Sequence, residues 1–382
     1  MRIRAAVLHE PDRPVATEAV ELDPPSDDEV LVRVVAAGVC RSDLHFADGA
    51  LGEGRWPMVL GHEGAGIVEA AGARVTHVRP GDRVAFCFVP SCGACRPCRS
   101  GRLNLCEPAA KATLKGTMLD GTSRLRLEDG RALQHCLLTS CFADHAVVAG
   151  AGAVPLPESI PLWQAALLGC GVITGVGAVR NTARVRIGES VCVVGCGGVG
   201  LQVIAGARLA GAAAIVAVDR DPAKLELAAS RGATHAVDAS DGGAARAVRK
   251  LTDGGVDHAF EVVGLPETIR LAWDTLRPGG TAVVVGLAPK GVEVSLPAIE
   301  FLSEKSILGC YYGSAHVAAE LPELIRLVVD GRLELADVVS HFTDLDGIEE
   351  ALERLRRGEG ARTIVVVDPE LAGVEPNRTG GS

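Results

Sequence analysis

The amino-acid sequence predicts an α/β protein with two domains, a twisted β-barrel with long loops and a doubly wound parallel sheet. Three observations support this fold class. The chain has 382 residues, of which 48% are hydrophobic, and this length suits two hydrophobic cores better than one. Its first 170 residues are rich in glycine, proline and short β-branched runs, whereas from about Ser190 apolar strands alternate with helical segments.

The first region contains runs such as EVLVRVVAAG and GAGIVEAAG within a background dense in glycine and proline. β-Branched runs bounded by such turn residues are typical of strands. We therefore expect a barrel-like, all-β unit with long loops. After SILGCYYG, two helices and the strand RTIVVVD follow without a glycine-rich turn, and this last segment is expected to return to the first domain.

The second region begins with VCVVGCGGVGLQVIAGARLA, which indicates a buried strand, a glycine turn and a helix. The strands AAIVAVDRD and VDHAFEVVG come later, with helices such as PAKLELAASRGA between strands. Continuous apolar strands separated by amphipathic helices indicate a parallel sheet covered on both faces. The predicted domains are therefore 1–171 together with 313–382, and 172–312.

Composition and charge exclude several classes of protein. The formal net charge of −10 argues against binding to nucleic acid or to an anionic membrane. No apolar run is long enough to span a bilayer, and the N-terminal MRIRAAVLHEPDRP has charges and proline where a signal peptide would be apolar. We expect a cytoplasmic location, in which the 12 cysteines serve as metal ligands and small apolar residues rather than in disulfides.

A glycine-rich turn lies between the strand Val191–Val194 and the following helix. Glycines there let the backbone approach a pyrophosphate at the helix N-terminus. The expected nucleotide-binding residues of the turn are Gly195, Gly197, Gly198, Val199 and Gly200. Asp219, which ends the next strand, would bind the ribose hydroxyls and repel a 2′-phosphate, so NAD is favoured over NADP. The alternative is a tight turn with an ordinary surface aspartate, and Arg220 would weaken the preference for NAD.

Four cysteines lie close together in the segment PSCGACRPCRSGRLNLC. They are Cys92, Cys95, Cys98 and Cys106. Four thiolates complete a tetrahedral shell around Zn²⁺, and a complete shell leaves no position for a substrate. The spacing therefore predicts a structural zinc site, with four unrelated thiols as the less favoured interpretation.

A second set of candidate zinc ligands is scattered along the chain, with Cys40 in GVCRSDLH, His62 in VLGHEGAG and Cys170 in LLGCGVITGVG. Each of these residues alone is more often a packing residue than a ligand. Together they supply two thiolates and one imidazole, the combination that leaves a fourth position open on a catalytic zinc.

Several motifs occur together in one order, namely GVCRSDLHF, MVLGHEGAGIVEAAGARV, the four-cysteine segment, GTMLDGTSRL, GCGVITGVGAV, VVGCGGVG and GEGARTIVVV. With these motifs the chain resembles the zinc-dependent, medium-chain alcohol dehydrogenases in their long-loop form, from Met1 to about Asp368. The resemblance implies a GroES-like catalytic domain, a Rossmann coenzyme domain, two Zn²⁺ ions per chain and NAD. It also implies reversible hydride transfer between an alcohol or aldehyde and NAD(H), with zinc as a Lewis acid.

The resemblance assigns roles to individual residues. The catalytic zinc would be bound by Cys40, His62 and Cys170, and the structural zinc by the four clustered cysteines. Glu63 would lie near the catalytic metal and assist ligand exchange, and Asp43 would orient the imidazole of His62. For both carboxylates the alternative is a solvated acid in a loop.

A proton relay and cation contacts to the cofactor are implied by the same resemblance. Ser42 would accept the alcohol proton and pass it through the cofactor ribose to His45, whose ordinary pKa suits release near neutrality. Arg41 and Arg362 would hold the pyrophosphate, and Lys224 would meet the adenosine ribose. The alternatives are a plain surface histidine at His45 and a plain helix-surface charge at Lys224.

The substrate pocket is expected to be mostly apolar. By resemblance its walls would be Leu51, Trp56, Phe88, Cys136, Leu137, Leu287 and Tyr311, with Leu287 also counted among the cofactor contacts. Glutathione-dependent relatives carry an aspartate where Leu51 aligns and an arginine near 109–113, and this chain has neither. The sequence therefore predicts primary aliphatic or aromatic alcohols and their aldehydes as substrates. Cys136, at the place of a bulky aromatic residue in some relatives, would admit larger ones.

Two other functions stay open from the sequence. One is a dehydrogenase of S-hydroxymethyl-thiol adducts of formaldehyde, with glutathione or another thiol. The other is a non-catalytic zinc- and nucleotide-binding protein, although the retained ligands and relay residues argue against it. The segments VEVSLPAIE and SILGCYYG are expected to pair across a two-fold axis, so the predicted assembly is a homodimer, with a tetramer as the alternative.

Overall fold

The structure is a computed structural model that describes residues 1–51 and 56–377. The chain forms two compact units, one made of Met1–Cys170 with His316–Ser382 and the other of Gly171–Ala315. The predicted domains divide the chain at 171/172 and 312/313, whereas the units divide it at 170/171 and 315/316. The functional roles assigned to the two domains stay predictions.

The elements are numbered in chain order. The strands are β1 (Arg2–Leu8), β2 (Ala16–Leu22), β3 (Glu29–Val39), β4 (Met58–Val59), β5 (Glu63–Ala71), β6 (Arg83–Phe86), β7 (Leu125–Leu127), β8 (Ala132–His135), β9 (His145–Ala149), β10 (Ala153–Pro155), β11 (Ser190–Val194), β12 (Ala214–Asp219), β13 (His235–Asp238), β14 (Val256–Glu261), β15 (Leu276–Val284), β16 (Ser306–Gly309), β17 (Val339–Thr343) and β18 (Arg362–Val366). The α-helices are α1 (Arg41–Ala47), α2 (Arg96–Arg99), α3 (Glu107–Lys115), α4 (Leu162–Ala165), α5 (Gly171–Gly177), α6 (Gly198–Ala210), α7 (Pro222–Ser230), α8 (Ala244–Leu251), α9 (Pro266–Asp274), α10 (Val317–Val329), α11 (Ile348–Arg356) and α12 (Pro369–Ala372).

Two sheets form the first unit and confirm the prediction of a barrel-like fold for this part of the chain. A closed barrel has the strand order β1-β2-β7-β8-β4. Its buried cluster is aliphatic apart from Met118, and it includes Val7, Leu22 and Leu133. The second sheet runs β10-β6-β5-β3-β18-β17, with β9 also paired to β3. The C-terminal strands β17 and β18 thus complete a sheet that the N-terminal segment begins.

The register of β3 with β5 and β18 brings three distant parts of the chain to one end of the second sheet. On one side, β5 pairs antiparallel with β3 so that Glu63 lies opposite Gly38. On the other side, β18 pairs antiparallel with β3 and begins at Arg362. Cys40 follows the last residue of β3. Glycine is needed at Gly38 because a Cβ atom there would lie 2.9 Å from Cδ of Glu63.

The second unit contains a sheet with the strand order β13-β12-β11-β14-β15-β16, in which every neighbouring pair is parallel. This order confirms the predicted doubly wound, Rossmann-type domain. The strand order reverses at β11, which pairs with both β12 and β14. In such sheets ligands bind outside the carboxyl ends of the strands at that point. A buried core cluster of this unit contains the fully buried Trp273.

The helices are short. α6 and α10 have 13 residues each, against the roughly 20 apolar residues that a membrane-spanning helix needs. In the part of the chain that the structure describes, no single helix is long and apolar enough to cross a membrane. The consecutive stretches Leu162–Gly169 and Gly171–Ala183, which meet at a bend, reach that length and composition only when they are taken together.

Candidate metal and nucleotide sites

The four clustered cysteines form a small lobe of the first unit, here called the cysteine lobe (residues 92–106). Their Sγ atoms all lie within 4.8 Å of one another, close enough to share one metal ion. Cys92 is exposed and Cys95 is half-buried, while Cys98 and Cys106 are buried. The cysteine lobe therefore lies at the protein surface, with two of its four cysteines packed inward.

Local backbone geometry gathers these thiols. The short helix α2 begins after Cys95 and carries Cys98. The amides of Ala94 and Cys95 donate hydrogen bonds to Sγ of Cys92 at 3.4 and 3.3 Å, and these bonds lower the pKa of Cys92 to about 6. Burial raises the pKa of Cys98 to about 12 and also raises that of Cys106, but zinc displaces thiol protons when it binds. Four sulfur atoms around one position therefore fit a Zn²⁺ ion held entirely by protein ligands.

A second cluster, here called the buried site, consists of Cys40, His62, Glu63 and Cys170. All four residues are buried, and one ligand atom of each lies within 4.8 Å of the others. Cys40 lies between β3 and α1, His62 and Glu63 lie at the start of β5, and Cys170 follows the 3-10 segment Ala166–Gly169. The structure thus brings together the three scattered residues predicted as zinc ligands, with the predicted glutamate beside them.

Asp43 connects two of these ligands. Its Oδ1 atom lies 3.0 Å from Nδ1 of His62, and its Oδ2 atom accepts a hydrogen bond from the amide of Cys40 at 3.0 Å. When Nδ1 donates its proton to this carboxylate, the lone pair of the imidazole is on Nε2 and can bind a metal. Nε2 is buried and has no hydrogen-bond partner among the described residues. A metal ion in the buried site would satisfy it.

Glu63 and Arg362 form a buried ion pair beside the ligands. Nη2 of Arg362 lies 3.6 Å from Oε2 of Glu63, and both side chains are buried. Burial raises the pKa of Glu63 to about 7 although the arginine opposes the rise. Neither carboxylate oxygen of Glu63 accepts a hydrogen bond from the described residues. Arg362, predicted to hold the pyrophosphate, also donates a hydrogen bond to the carbonyl of Val39 at 3.2 Å.

The two donor sets fit two zinc ions with different surroundings. Sulfur and imidazole nitrogen are ligands that Zn²⁺ favours. The cysteine lobe offers four sulfurs, which fill a tetrahedral shell. The buried site offers two sulfurs and one nitrogen, which leave a coordination position for a substrate oxygen.

The glycine-rich turn of the second unit joins β11 to α6, which begins with Gly198 and Val199. Gly195 has a φ of 98°, and a Cβ atom on it would lie 2.5 Å from a valine methyl group. A Cβ atom on Gly200 would lie 1.9 Å from the carbonyl oxygen of Gly195. In contrast, no described atom lies within 4 Å of the place that a Cβ atom on Gly197 would take. The backbone at the start of α6 is therefore open to a phosphate group.

Asp219 ends β12 beside this turn. Its Oδ2 atom accepts a hydrogen bond from the amide of Cys196 at 2.7 Å, and its Oδ1 atom accepts from the amides of Arg220 and Asp221 at 2.8 and 3.1 Å. These bonds fix the carboxylate at the turn, where it keeps acceptor capacity for ribose hydroxyls. Lys224 is half-buried on α7. The predicted preference for NAD over NADP depends on this carboxylate.

The predicted relay residues belong to the first unit. Ser42 is half-buried, with Oγ 3.9 Å from Sγ of Cys40. Nε2 of His45 is buried and has no hydrogen-bond partner within the described ranges. Burial lowers the pKa of His45, and the charge of Arg41 lowers it further. Ser42 thus lies beside a metal ligand, and His45 lies one helical turn farther along α1.

The predicted pocket residues differ in exposure. The buried members are Phe88, Cys136 and Leu137, the half-buried members are Leu51 and Trp56, and the exposed members, both in the second unit, are Leu287 and Tyr311. Phe88 meets His62 edge-on, with ring centroids 5.2 Å apart. Cys136 has 0% of its surface exposed. Arg41, predicted to contact the pyrophosphate, is exposed.

Sequence reasoning missed two contacts of the buried site. One is the pairing of Glu63 with Arg362 through β5, β3 and β18, which only the strand register reveals. The other is the approach of Cys136, whose Sγ lies 3.9 Å from Oδ1 of Asp43. Neither contact has a spacing signal, because the partners come from separate segments of the chain.

A largely buried polar network beside the barrel also has no sequence signal. Arg124 donates hydrogen bonds to Glu29 at 2.8 and 3.0 Å and to Asp120 at 2.6 Å. Nε2 of His135 accepts a hydrogen bond from the amide of Arg124 at 3.1 Å. Burial, together with the charge of Arg124, lowers the pKa of His135 to about 3. The histidine is therefore neutral in the folded protein at pH 7.

Comparison with known proteins places both parts of the chain in described families. Residues 26–158 match the family described as alcohol dehydrogenase GroES-like domain, and residues 198–330 match the one described as zinc-binding dehydrogenase. An alcohol dehydrogenase class-3 from Myxine glutinosa is 39% identical over 365 residues, which cover 95% of this chain and 97% of that protein. An S-(hydroxymethyl)glutathione dehydrogenase from Photobacterium damsela subsp. piscicida is 38% identical over 368 residues, or 96% of this chain and 100% of that protein.

Solved structures agree with these sequence relatives. An alcohol dehydrogenase zinc-binding domain protein from Burkholderia ambifaria has a TM-score of 0.91 at 35% identity, covering 96% of this chain and 99% of its own. The benzyl alcohol dehydrogenase from Acinetobacter calcoaceticus has a TM-score of 0.91 at 33% identity, covering 96% and 100%. The likeness therefore extends over nearly the whole chain.

Proposed function

The chain belongs to the zinc-dependent, medium-chain alcohol dehydrogenase family, and from this premise we propose that it oxidises the hydroxymethyl group of thiol adducts of formaldehyde with NAD. The oxidoreductase class and the zinc- and NAD(P)-binding architecture come with the family. The choice of substrate is the proposal. The retained ligands and turn glycines disfavour a non-catalytic role.

One observation carries the proposed reaction, namely the burial of Cys40, His62 and Cys170 around one position with Glu63 beside it. Zn²⁺ bound there supplies Lewis-acid polarisation of an alcohol or aldehyde oxygen. With Nδ1 of His62 donating to Asp43, the imidazole would present Nε2 to the metal. Burial of all these side chains keeps bulk water away from the reacting atoms, which strengthens every electrostatic interaction in the site.

The proton released by alcohol oxidation needs a route out of this buried region. We assign its acceptance to the hydroxyl of Ser42, which lies beside Cys40, and its release to His45. Because burial and Arg41 lower the pKa of His45, the imidazole is neutral at pH 7 and can accept a proton. A neutral acceptor with an unpartnered Nε2 suits this role.

The full-length relatives support a thiol adduct as the substrate. S-(hydroxymethyl)glutathione dehydrogenases from Photobacterium damsela subsp. piscicida and from Synechocystis sp. are each 38% identical over 368 residues. The sequence instead predicts free primary alcohols, because it lacks both the aspartate that glutathione-dependent members carry at Leu51 and their arginine near 109–113. The comparisons favour the thiol adduct over that prediction. The proposal does not specify glutathione as the thiol, because Leu51 replaces the aspartate that glutathione-dependent members carry.

Free primary alcohols are the second candidate, because the side chains predicted to line the pocket are mostly apolar. Leu51, Phe88 and Leu137 offer no charge to an ionic substrate. The benzyl alcohol dehydrogenase from Acinetobacter calcoaceticus, similar in fold over 96% of this chain, acts by its name on an aromatic alcohol. An apolar, half-buried lining suits such a substrate.

A substrate panel separates the two candidates. We would measure kcat/KM with NAD for formaldehyde plus glutathione, formaldehyde plus other small thiols, and the free alcohols octanol and benzyl alcohol. The proposal expects turnover of formaldehyde only when a thiol is present, and a higher kcat/KM for the adduct than for any free alcohol. Turnover of free alcohols with no stimulation by any thiol would overturn it in favour of the second candidate.

We further propose two zinc ions per chain, NAD rather than NADP, and a homodimer. The edge strand β16 exposes Leu308, and the 3-10 segment before it exposes Ile299 and Leu302 by 72% and 81%. Exposed apolar side chains at a sheet edge favour pairing with a second copy. Elemental analysis, kcat/KM with both cofactors and sedimentation equilibrium test these three points. The cytoplasmic location stays a prediction.

A further inference from the structure

We propose that Cys136 is a positioning residue for the buried site, because its thiol donates a hydrogen bond to Asp43, the residue that orients His62. This role differs from the pocket-wall role predicted for it from the sequence. It goes beyond the proposed substrate and does not depend on it. It depends only on metal binding by Cys40, His62 and Cys170.

The carboxylate of Asp43 is completely buried and receives donors on both oxygens. Oδ2 accepts from the amide of Cys40 at 3.0 Å. Oδ1 faces Nδ1 of His62 at 3.0 Å, the amide of Gly61 at 3.3 Å and Sγ of Cys136 at 3.9 Å. A buried carboxylate is stable only when such donors offset its lost hydration. Among these donors, the thiol of Cys136 is the one supplied by a separate segment that contains none of the predicted zinc ligands.

Hydrogen bonds fix the backbone around Cys136 and thereby the direction of its thiol. The amide of Cys136 donates hydrogen bonds to Oγ of Ser140 at 2.9 Å and to the carbonyl of Val59 at 3.3 Å. Oγ of Ser140 donates to the same carbonyl at 2.8 Å. Leu137, Leu138 and Ser140 have φ values of 49°, 59° and 51°, a region that costs non-glycine residues about 1 kcal/mol or more each. The surrounding contacts thus hold a strained loop in one conformation against the buried site.

The thiol of Cys136 lies close to two side chains at the buried site. Cys136 exposes no surface, and its Sγ donates to Oδ1 of Asp43 at 3.9 Å. Sγ, a carboxylate oxygen of Asp43 and a ring nitrogen of His62 all lie within 4.8 Å of one another. A thiol is a weak hydrogen-bond donor, and its removal leaves Oδ1 of Asp43 with one donor fewer next to a small cavity. The carboxylate and the imidazole of His62 would then hold their relative orientation less tightly, and the metal would leave more readily.

Three variants test the role. Cys136→Ala removes the donor, Cys136→Ser restores a donor at the same position, and Cys141→Ala is the matched control. Cys141 is equally buried five residues along the same loop. In the described part of the chain, the carboxylate of Asp43 meets donors from Cys40, Gly61, His62 and Cys136, and the thiol of Cys141 is not among them. Each protein is loaded with Zn²⁺, and the rate of zinc release to a chromogenic chelator is followed. The phase that is missing in Cys170→Ala identifies release from the buried site.

We expect Cys136→Ala to speed release from the buried site about threefold to tenfold, below the 10- to 100-fold range for stronger second partners of metal ligands. Cys136→Ser should return the rate to within about twofold of wild type, and Cys141→Ala should leave it near wild type. The visible spectrum of the Co²⁺-loaded protein should shift in Cys136→Ala and recover in Cys136→Ser. The proposal is overturned if both Cys136 variants release zinc at the wild-type rate, or if Cys141→Ala speeds release as much as Cys136→Ala.

Discussion

The cysteine lobe and the buried site use the same kind of ligand in opposite ways. The lobe takes all its thiols from residues 92–106, and backbone amides contact them, such as that of Cys95 at 3.3 Å from Sγ of Cys92. The buried site takes its ligands from positions between Cys40 and Cys170, and the side chains of Asp43 and Glu63 lie beside them. A loop alone can build a closed shell, whereas an open shell needs ligands fixed by the rest of the domain.

The two regions also balance charge differently. The lobe has an exposed thiol, so water and salt screen its negative charge. In the buried site, two cysteine side chains and the carboxyl groups of Asp43 and Glu63 are removed from water. Arg362 is the side chain that brings a positive charge to within 3.6 Å of Glu63. The buried site is therefore expected to depend more strongly on individual residues outside its ligand set.

The largest expected effect is the loss of turnover in Cys170→Ala. Removal of one ligand from an open three-ligand site abolishes metal binding there, so kcat should fall by about 10³-fold or more. NADH binding, measured by fluorescence titration, should stay near wild type because the glycine turn lies in the second unit. The matched control is Cys192→Ala, a buried cysteine outside both clusters, which should keep its turnover. Retained activity in Cys170→Ala would contradict the assignment of the reacting metal to the buried site.

Cys98→Ala should act on stability instead of chemistry. The lobe would lose one of four zinc ligands, and because structural zinc contributes its binding energy to folding, the free energy of unfolding should fall by about 3 kcal/mol or more. Thermal unfolding and zinc content measure this change. The fraction that remains folded should keep a kcat close to wild type. A stable but inactive Cys98→Ala protein would reverse the roles given to the two regions.

Asp43→Asn should weaken zinc binding in the buried site alone. The amide keeps the shape of the carboxylate but loses the charge that orients His62, so zinc affinity should fall about 10- to 100-fold. Competitive titration with a chelator measures both sites in one experiment. The affinity of the lobe should not change, since its thiols are held by backbone amides. Equal weakening at both sites would show that the substitution disturbs the whole unit.

The smallest expected effect is a pH dependence of the free energy of unfolding that comes from His135, a buried residue of the barrel. His135 precedes Cys136, and its pKa is about 3 when folded against about 6.5 when unfolded. Because the unfolded chain binds the proton first, stability is lost as the pH falls below about 6.5, by roughly 1.4 kcal/mol at pH 5.5 from this residue. Denaturant unfolding at pH 7.5 and 5.5 measures it, and His135→Gln should show a smaller difference than wild type. The same pH difference in both proteins would refute this cause.

The sequence predicts those parts of the protein whose signals are local. The glycine turn, the alternating strands and helices and the spacing of the four cysteines each lie within one short segment, because one element and its neighbour form the feature. The grouping of Cys40, His62 and Cys170 could be proposed only from residue chemistry and family resemblance, since no local spacing joins them. The register of β3 with β5 and β18 places Glu63 beside Arg362. It depends on pairings between distant strands, so the local sequence pattern does not predict it.

Cys136 shows why side-chain roles are harder to predict than elements. The family resemblance predicts a pocket wall at Cys136, whereas its thiol meets Asp43 in a loop where Leu137, Leu138 and Ser140 are left-handed. Non-glycine residues rarely adopt that conformation, so no propensity argument would have placed it there. The contact became visible only with the packed loop.

The pairing of β18 with β3 has a consequence for the order in which this protein can be completed. A ribosome releases Cys40, His62 and Cys170 first, then the whole of the unit Gly171–Ala315, and only near the end the strand that carries Arg362. All residues of the unit Gly171–Ala315 are therefore synthesised before the other unit, whose two segments flank it in the sequence, is complete. A nascent chain at that stage already has the three candidate ligands, but its growing sheet lacks the closing strand and the cation that this strand brings.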